Sequence, residues 1–193
     1  MSEDDAAEKR LVPGRECGAC THCCVDLAIV SDGMRKLPGV VCENCTGGGC
    51  AIYDRRPRVC RDYHCLWREL PNLDESWRPD LCGVLIQWGE VPAGFAAEHA
   101  VDLILVGPPE TLQSDRFAGL AGGFIDSGTA TFLKVLNGPE FLPFEGFLNH
   151  ALGPAVAARD YGGIRRAIEL AYAEMMTLPR VPATIEDFSP LQA

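Results

Sequence analysis

The sequence has no apolar run approaching the roughly 20 residues that a membrane helix needs. It opens MSEDDAAEKR, acidic where an export signal is basic and then apolar. Positive charge is scarce: 17 lysines and arginines face 27 aspartates and glutamates, for a net charge of −10. That balance argues against a general nucleic-acid surface and against an anionic membrane as partner. Together these absences lead to the expectation of a cytoplasmic chain, in a compartment that keeps thiols reduced.

Familiar catalytic signatures are missing as well. There is no GxSxG elbow, no P-loop and no HExxH pair. Gly119, Gly122 and Gly123 fall within a helical pattern and do not form a GxGxxG fingerprint. His99 and His150 stand apart in apolar surroundings and read as structural residues, so no catalytic residue is assigned. At 193 residues, 47% hydrophobic and 23% charged, the chain is too apolar for disorder and is sized for about one domain.

What the chain does have is cysteine. Nine of the ten fall between positions 17 and 65. The first block is Cys17-x2-Cys20-x2-Cys23-Cys24, with Gly18 and His22 inside it. The second is Cys42-x2-Cys45-x4-Cys50, and Cys60-x4-Cys65 follows. A C-x2-C pair on a tight turn can bring both sulfurs onto one metal at about 2.3 Å. Two such pairs with further thiols nearby supply ligands for an iron–sulfur cluster, 4Fe-4S being one form, or for zinc. A disulfide framework fits less well, because the chain is long and shows no export signal. Neighbouring side chains usually diverge, so one of Cys23 and Cys24 is expected to ligate while the other packs or serves a second metal. His22 reads as a turn residue rather than a ligand.

Around these cysteines lie Cys50-Ala51-Ile52-Tyr53, Arg56-Pro57, Cys60-Arg61 and Tyr63-x-Cys65. With the first block, these segments resemble the CxxCxxCC family over about residues 15–70. Its proteins are described as zinc- or iron-chelating, and flagellin lysine N-methylase carries a related domain. The resemblance implies metal ligation by Cys17, Cys20, one or both of Cys23 and Cys24, Cys42, Cys50, Cys60 and Cys65. Cys45 and Cys82 fall outside the minimal pattern. Methyl transfer does not carry over, since the chain lacks a glycine-rich strand–turn–helix for a cofactor.

The remaining chain sorts into three parts. Residues 1–14 read as a disordered lead-in, 15–70 as the cysteine-rich lobe, and 71–193 as a small α/β portion packed on it. Val25–Val30 reads as a short strand or an apolar turn, and Ala51-Ile52-Tyr53 as a brief strand. Pro57 suits the first turn of a helix that would put Cys60 and His64 on one face. Arg55, Arg56, Arg58 and Arg61 could offset thiolate charge, bind an anionic partner, or form a solvated face. Trp67 and Trp77 are expected to cap the junction between lobe and remainder. Beyond Gly83, GVLIQWG, AGFAAEHAV and DLILVG predict two or three strands, 111–126 a helix, and 129–136 a strand. A second main helix is predicted over 160–177, with Met175-Met176 as core filler, and the tail after Pro179 is expected to be irregular.

The expectation is an α+β protein: an irregular cysteine-rich metal-binding lobe docked on a small sheet with two main helices. Its partner is a metal ion or cluster. The alternatives are an enzyme, transferase-like in kind, whose metal lobe supports catalysis, or a zinc-stapled module that binds another protein.

Overall fold

Described in the computed structural model are residues 11–31 and 33–188. The expected lead-in lies outside these residues up to position 10. Over 11–14 the chain is instead held: Val12 N–H donates to the Arg68 carbonyl at 2.7 Å.

The lobe has little regular structure. A one-turn helix α1 (His22–Val25) precedes a two-stranded hairpin, β1 (Ile29–Ser31) and β2 (Met34–Lys36). A 3-10 turn at Tyr53–Arg55 leads into α2 (Arg58–Asp62), then α3 (Leu66–Glu69), and α4 (Pro79–Cys82) ends the irregular segment before the sheet. The turn at Tyr53 replaces the strand expected at 51–53. It is fixed by Arg56, whose guanidinium stacks 3.8 Å over the Tyr53 ring while its Nε donates to the Tyr53 carbonyl at 3.0 Å.

Beyond α4 the pattern becomes regular. Strands β3 (Val84–Gly89), β4 (Ala100–Leu105), β5 (Ala130–Val135) and β6 (Phe144–Phe147) form one sheet in that order. The β4–β5 pair is parallel and its two neighbours are antiparallel. The parallel pair needs a crossover, supplied by α5 (Asp115–Asp126), which is capped by Ser114 accepting from Phe117 N at 3.1 Å. Two more helices follow, α6 (Leu148–Ala157) and α7 (Tyr161–Met175). The fold is therefore α+β, with three long helices where the periodicity predicted two. The unforeseen one, α6, carries Pro154 in its interior, which argues against a helix when only sequence is in hand. The run AGFAAEHAV contributes only its last two residues to a strand.

Strand alternation divides the sheet. Val84, Ile86, Val101, Leu103, Leu133 and Val135 pack on one face against Phe117 and Ala121 of α5, Leu148 and Leu152 of α6, and Ile164, Ile168 and Met175 of α7. Each fully buried Leu, Ile or Val contributes about 1.5–3 kcal/mol. The opposite face carries Gln87, Asp102, Ile104 and Lys134, and it is this face that meets the lobe.

Three contacts fix the lobe in place. Gly39, at φ 72°, lies against Pro139 so closely that a Cβ would sit 2.8 Å from the Pro139 Cα, and Glu140 N–H donates to the Pro38 carbonyl at 3.0 Å. Trp67 is buried, as expected for a residue capping the junction, and its indole donates to the Asp74 carbonyl at 3.1 Å. Arg15 gathers the carbonyls of Trp67, Leu70 and Leu73 with one guanidinium. Hydrogen bonds to a charged donor contribute about 1.5–3 kcal/mol each when buried, less where water can replace the donor. Arg15→Met is therefore expected to lower stability by about 2 kcal/mol. Urea unfolding that leaves the midpoint where it is in the parent would refute this.

The tail is more ordered than expected up to Phe188. Leu142 N–H donates to the Val181 carbonyl at 2.9 Å, and a 3-10 turn at Ile185–Asp187 begins with a Thr184 capping box. No helix among the described residues is long and apolar enough to cross a membrane.

Candidate metal centre

The cysteines reach one another through short backbone links rather than through a packed core. Cys20 N–H donates to the Cys17 carbonyl at 2.9 Å, closing the first turn, where Gly18 takes φ 54°. Helix α1 then presents Cys23 and Cys24. Cys42 N–H donates to the Cys24 carbonyl at 2.9 Å and ties the second block to the first. Cys45 N–H donates to the Cys42 carbonyl, also at 2.9 Å, and an antiparallel bridge joins Cys45 to Cys50 around the glycine run. Pro57 stands at the N-cap of α2, one position before the first turn where it was expected, and α2 carries Cys60.

The result is a cavity of about 430 Å³ between lobe and sheet, lined by Cys17, Cys20, Cys23, Cys24, Cys42, Cys50 and Cys60. Seven of the eight cysteines singled out from the sequence thus share one cavity, although 43 positions separate the first from the last. Cys65 is not in its lining. It precedes α3 and packs against the main core, while its thiol feels the charges of Cys17 and Cys20. Cys45 and Cys82 also lie outside the lining. Both members of the vicinal pair do line the cavity, with sulfurs 4.0 Å apart, so neighbouring side chains here do not diverge to opposite sides.

All ten thiols are free. Among the described residues, no three histidine, cysteine or carboxylate groups already stand close enough to hold one ion. Ligation would draw the thiols inward, a movement that short links and a glycine-rich loop permit. The donor set fits such a centre, with soft sulfur ligands present in excess of the four that a single zinc or cluster takes.

Electrostatics around the thiols is mixed. The hydrogen bond between Cys23 and Cys24 holds the Cys24 thiol below its ordinary range, helped by the charges of Lys36 and Arg56, and pushes Cys23 up. Burial raises Cys20 and Cys60, and raises Cys65 to about 12. Three cations balance the sulfur charge that ligation would create. Lys36 is buried, with its ammonium donating to the Val25 carbonyl at 3.1 Å and also to those of Leu27 and Leu37. Arg68 Nη1 lies 3.8 Å from Cys17 Sγ, and its Nε is buried without a hydrogen-bond partner. Arg56 lines the cavity. The sequence offered no signal for Lys36 or Arg68, because an isolated basic residue in a loop reads as solvated.

The two histidines of the lobe stand apart from the cavity lining. His22 Nδ1 pairs with Asp26 Oδ2 at 2.6 Å, and burial lowers His64. His64 does not share a helix face with Cys60, because α2 stops at Asp62 and Tyr63 turns extended. The cause is long-range: Tyr63 donates its hydroxyl to Gln87 Oε1 at 3.0 Å, pulling the chain towards β3.

Cys82 ends α4, and Gly83 follows at φ 72° with its carbonyl accepting from Val106 and Gly107. The Cys82 thiol lies within donor reach of the Val84 carbonyl at 3.2 Å and the Trp77 carbonyl at 3.4 Å, and it is not in the cavity lining. A serine hydroxyl can donate to the same carbonyls. Cys82→Ser is therefore expected to keep full metal content at a cost of at most about 1 kcal/mol. Metal loss equal to that of a cavity-lining variant would place Cys82 among the ligands.

The chain matches no family model, no curated protein and no solved structure.

Proposed function

We propose that this is a metal-binding protein that holds an iron–sulfur cluster or zinc in its cysteine-rich lobe. The observation that carries the proposal is the convergence of seven cysteines on one cavity. Cys17, Cys20, Cys42, Cys50 and Cys60, with Cys23, Cys24 or both, would hold the metal. Cys65, behind the lining, would join only if the lobe closes further. The resemblance to the CxxCxxCC family points to the same residues.

An iron–sulfur cluster, 4Fe-4S being one form that four thiolates hold, is favoured over zinc. The thiol excess suits either centre, but the glycine run ending at Gly49, which lines the cavity, lets backbone approach a cluster closely, and Lys36, Arg56 and Arg68 offset the negative charge of its thiolates. When bound, a cluster supplies electron transfer or a Lewis-acidic iron, whereas zinc supplies a structural staple or Lewis acidity. This chain's own contribution is to exclude water with Ile29, Met34 and Ile104 and to present cations to the sulfurs. Ten free thiols suit a reducing compartment, and a cytoplasmic location is proposed on that ground.

Anaerobic purification followed by elemental analysis and a visible spectrum tests the reading. Iron with sulfide and broad visible absorption is the expected result. Stoichiometric zinc in a colourless protein selects the alternative. Protein isolated without metal that also fails to take up either one overturns the proposal.

A further inference from the structure

The cavity is larger than a metal centre requires. A metal centre, whether an ion at about 2.3 Å from its thiolates or a cluster held by four of them, occupies only the sulfur-lined part. A volume of about 430 Å³ falls instead in the range of small-molecule sites, roughly 300–1,000 Å³. Besides the thiols, the apolar side chains of Ile29, Val30, Ile104 and Leu136 line it, together with the carboxylates of Asp26, Glu90 and Asp187.

Two basic residues line this space, Lys134 and Arg56. Lys134 is neutralised by Asp102 at 2.9 Å and Glu145 at 3.1 Å. Arg56 is different. Its Nε donates to the Tyr53 carbonyl and its plane lies 3.8 Å over the Tyr53 ring, so the side chain is fixed. Its two Nη groups find no protein partner among the described residues. A guanidinium held by Tyr53 in the cavity lining, with its outer fork unbonded among the described residues, matches the planar geometry of a carboxylate.

We propose that the cavity is a binding site for a small organic acid, with its carboxylate on the Arg56 fork and its apolar body against Ile29, Val30, Ile104 and Leu136. That the ligand also lies beside a metal centre rests on the reading above; the binding itself does not. This assigns the arginine-rich stretch one anionic ligand and gives the cavity an occupant of defined chemistry.

Octanoate serves as the probe, with octanamide as its neutral match, in calorimetric titrations of the full chain as isolated. Metal content is measured on the same samples. One octanoate per chain is expected, with octanamide at least about tenfold weaker, a charged hydrogen-bonded contact being worth about that ratio. Arg56→Gln is expected to weaken octanoate about tenfold and leave octanamide unchanged. Arg55→Gln, at an exposed neighbour outside the lining, is expected to change neither. Equal binding of acid and amide, or equal effects of the two arginine variants, overturns the proposal. Should Arg56→Gln also shed metal, nuclear Overhauser contacts from bound octanoate to the Ile104 and Leu136 methyls in the parent protein decide, and their absence overturns it. Octanoate binding by protein that carries no metal would leave this inference standing while the metal reading fails.

Discussion

Replacing Cys20 or Cys60 by serine is expected to abolish metal retention and, with it, hydrogen-exchange protection across residues 15–65. The reason lies in how little else holds that segment. Among the described residues up to Cys65, Ile29, Pro38 and Cys42 are the only buried apolar residues, whereas the sheet and its helices bury twenty. Up to Cys65 the regular structure amounts to two short helices, a 3-10 turn and a hairpin of two three-residue strands. Such a segment cannot offset its conformational entropy by burial. Structural zinc in small domains supplies about 10–16 kcal/mol of apparent binding free energy, and ligation of that order would be folding free energy for the lobe. A chelator should reproduce the effect of either substitution. Protection in β3–β5 and in α5–α7 should persist, because that core is built without the thiols. Uniform exchange protection before and after chelation would show that the lobe folds independently of metal.

The sequence and the structure agree best where periodicity is regular and local. Helix α7 follows its apolar spacing from Ile164 to Met175, and β5 its alternation from Ala130 to Val135. The candidate site was legible through spacing, since C-x2-C pairs and glycine turns are local features. What bent away from expectation did so through distant partners. Tyr63 leaves the helix because its hydroxyl is bound at Gln87, and α6 persists through Pro154 because Leu148 and Leu152 pack into the core. The charged residues beside the thiols were invisible for the same reason: nothing near Lys36 in sequence announces that its ammonium is buried among three carbonyls. The polar residues of the lobe-facing side of the sheet, Gln87, Asp102 and Lys134, sit in apolar runs. They read there as single interruptions, and only strand pairing reveals that they meet.

That meeting yields the largest stability effect expected of a single substitution outside the lobe. Asp102 is 3% exposed in the middle of the sheet, and its carboxylate accepts from Lys134 Nζ at 2.9 Å and from Gln87 Nε2 at 3.2 Å. Gly89, across the strand, leaves no room for relief, since a Cβ there would stand 2.7 Å from Asp102 Oδ1. Lys134→Met keeps the volume of the side chain but strands a buried carboxylate with one neutral donor. Breaking a buried pair in this way costs about 3–5 kcal/mol. The double variant Asp102→Leu with Lys134→Met removes both charges and is expected to recover most of that loss, because apolar replacements of buried pairs are often neutral or better. Burial alone would lower the Lys134 pKa, yet the Asp102 carboxylate, with Glu145 behind it, raises it above its ordinary value of 10.5. A raised lysine stabilises the fold fully below pH 10.5 and loses that contribution as pH climbs through the folded-state value. Denaturant unfolding at pH 7 should therefore separate the parent from Lys134→Met by the full amount, and the gap should narrow in strong alkali. Single and double variants of equal stability would mean that Asp102 takes up a proton or water when Lys134 is gone, and that the pair contributes little.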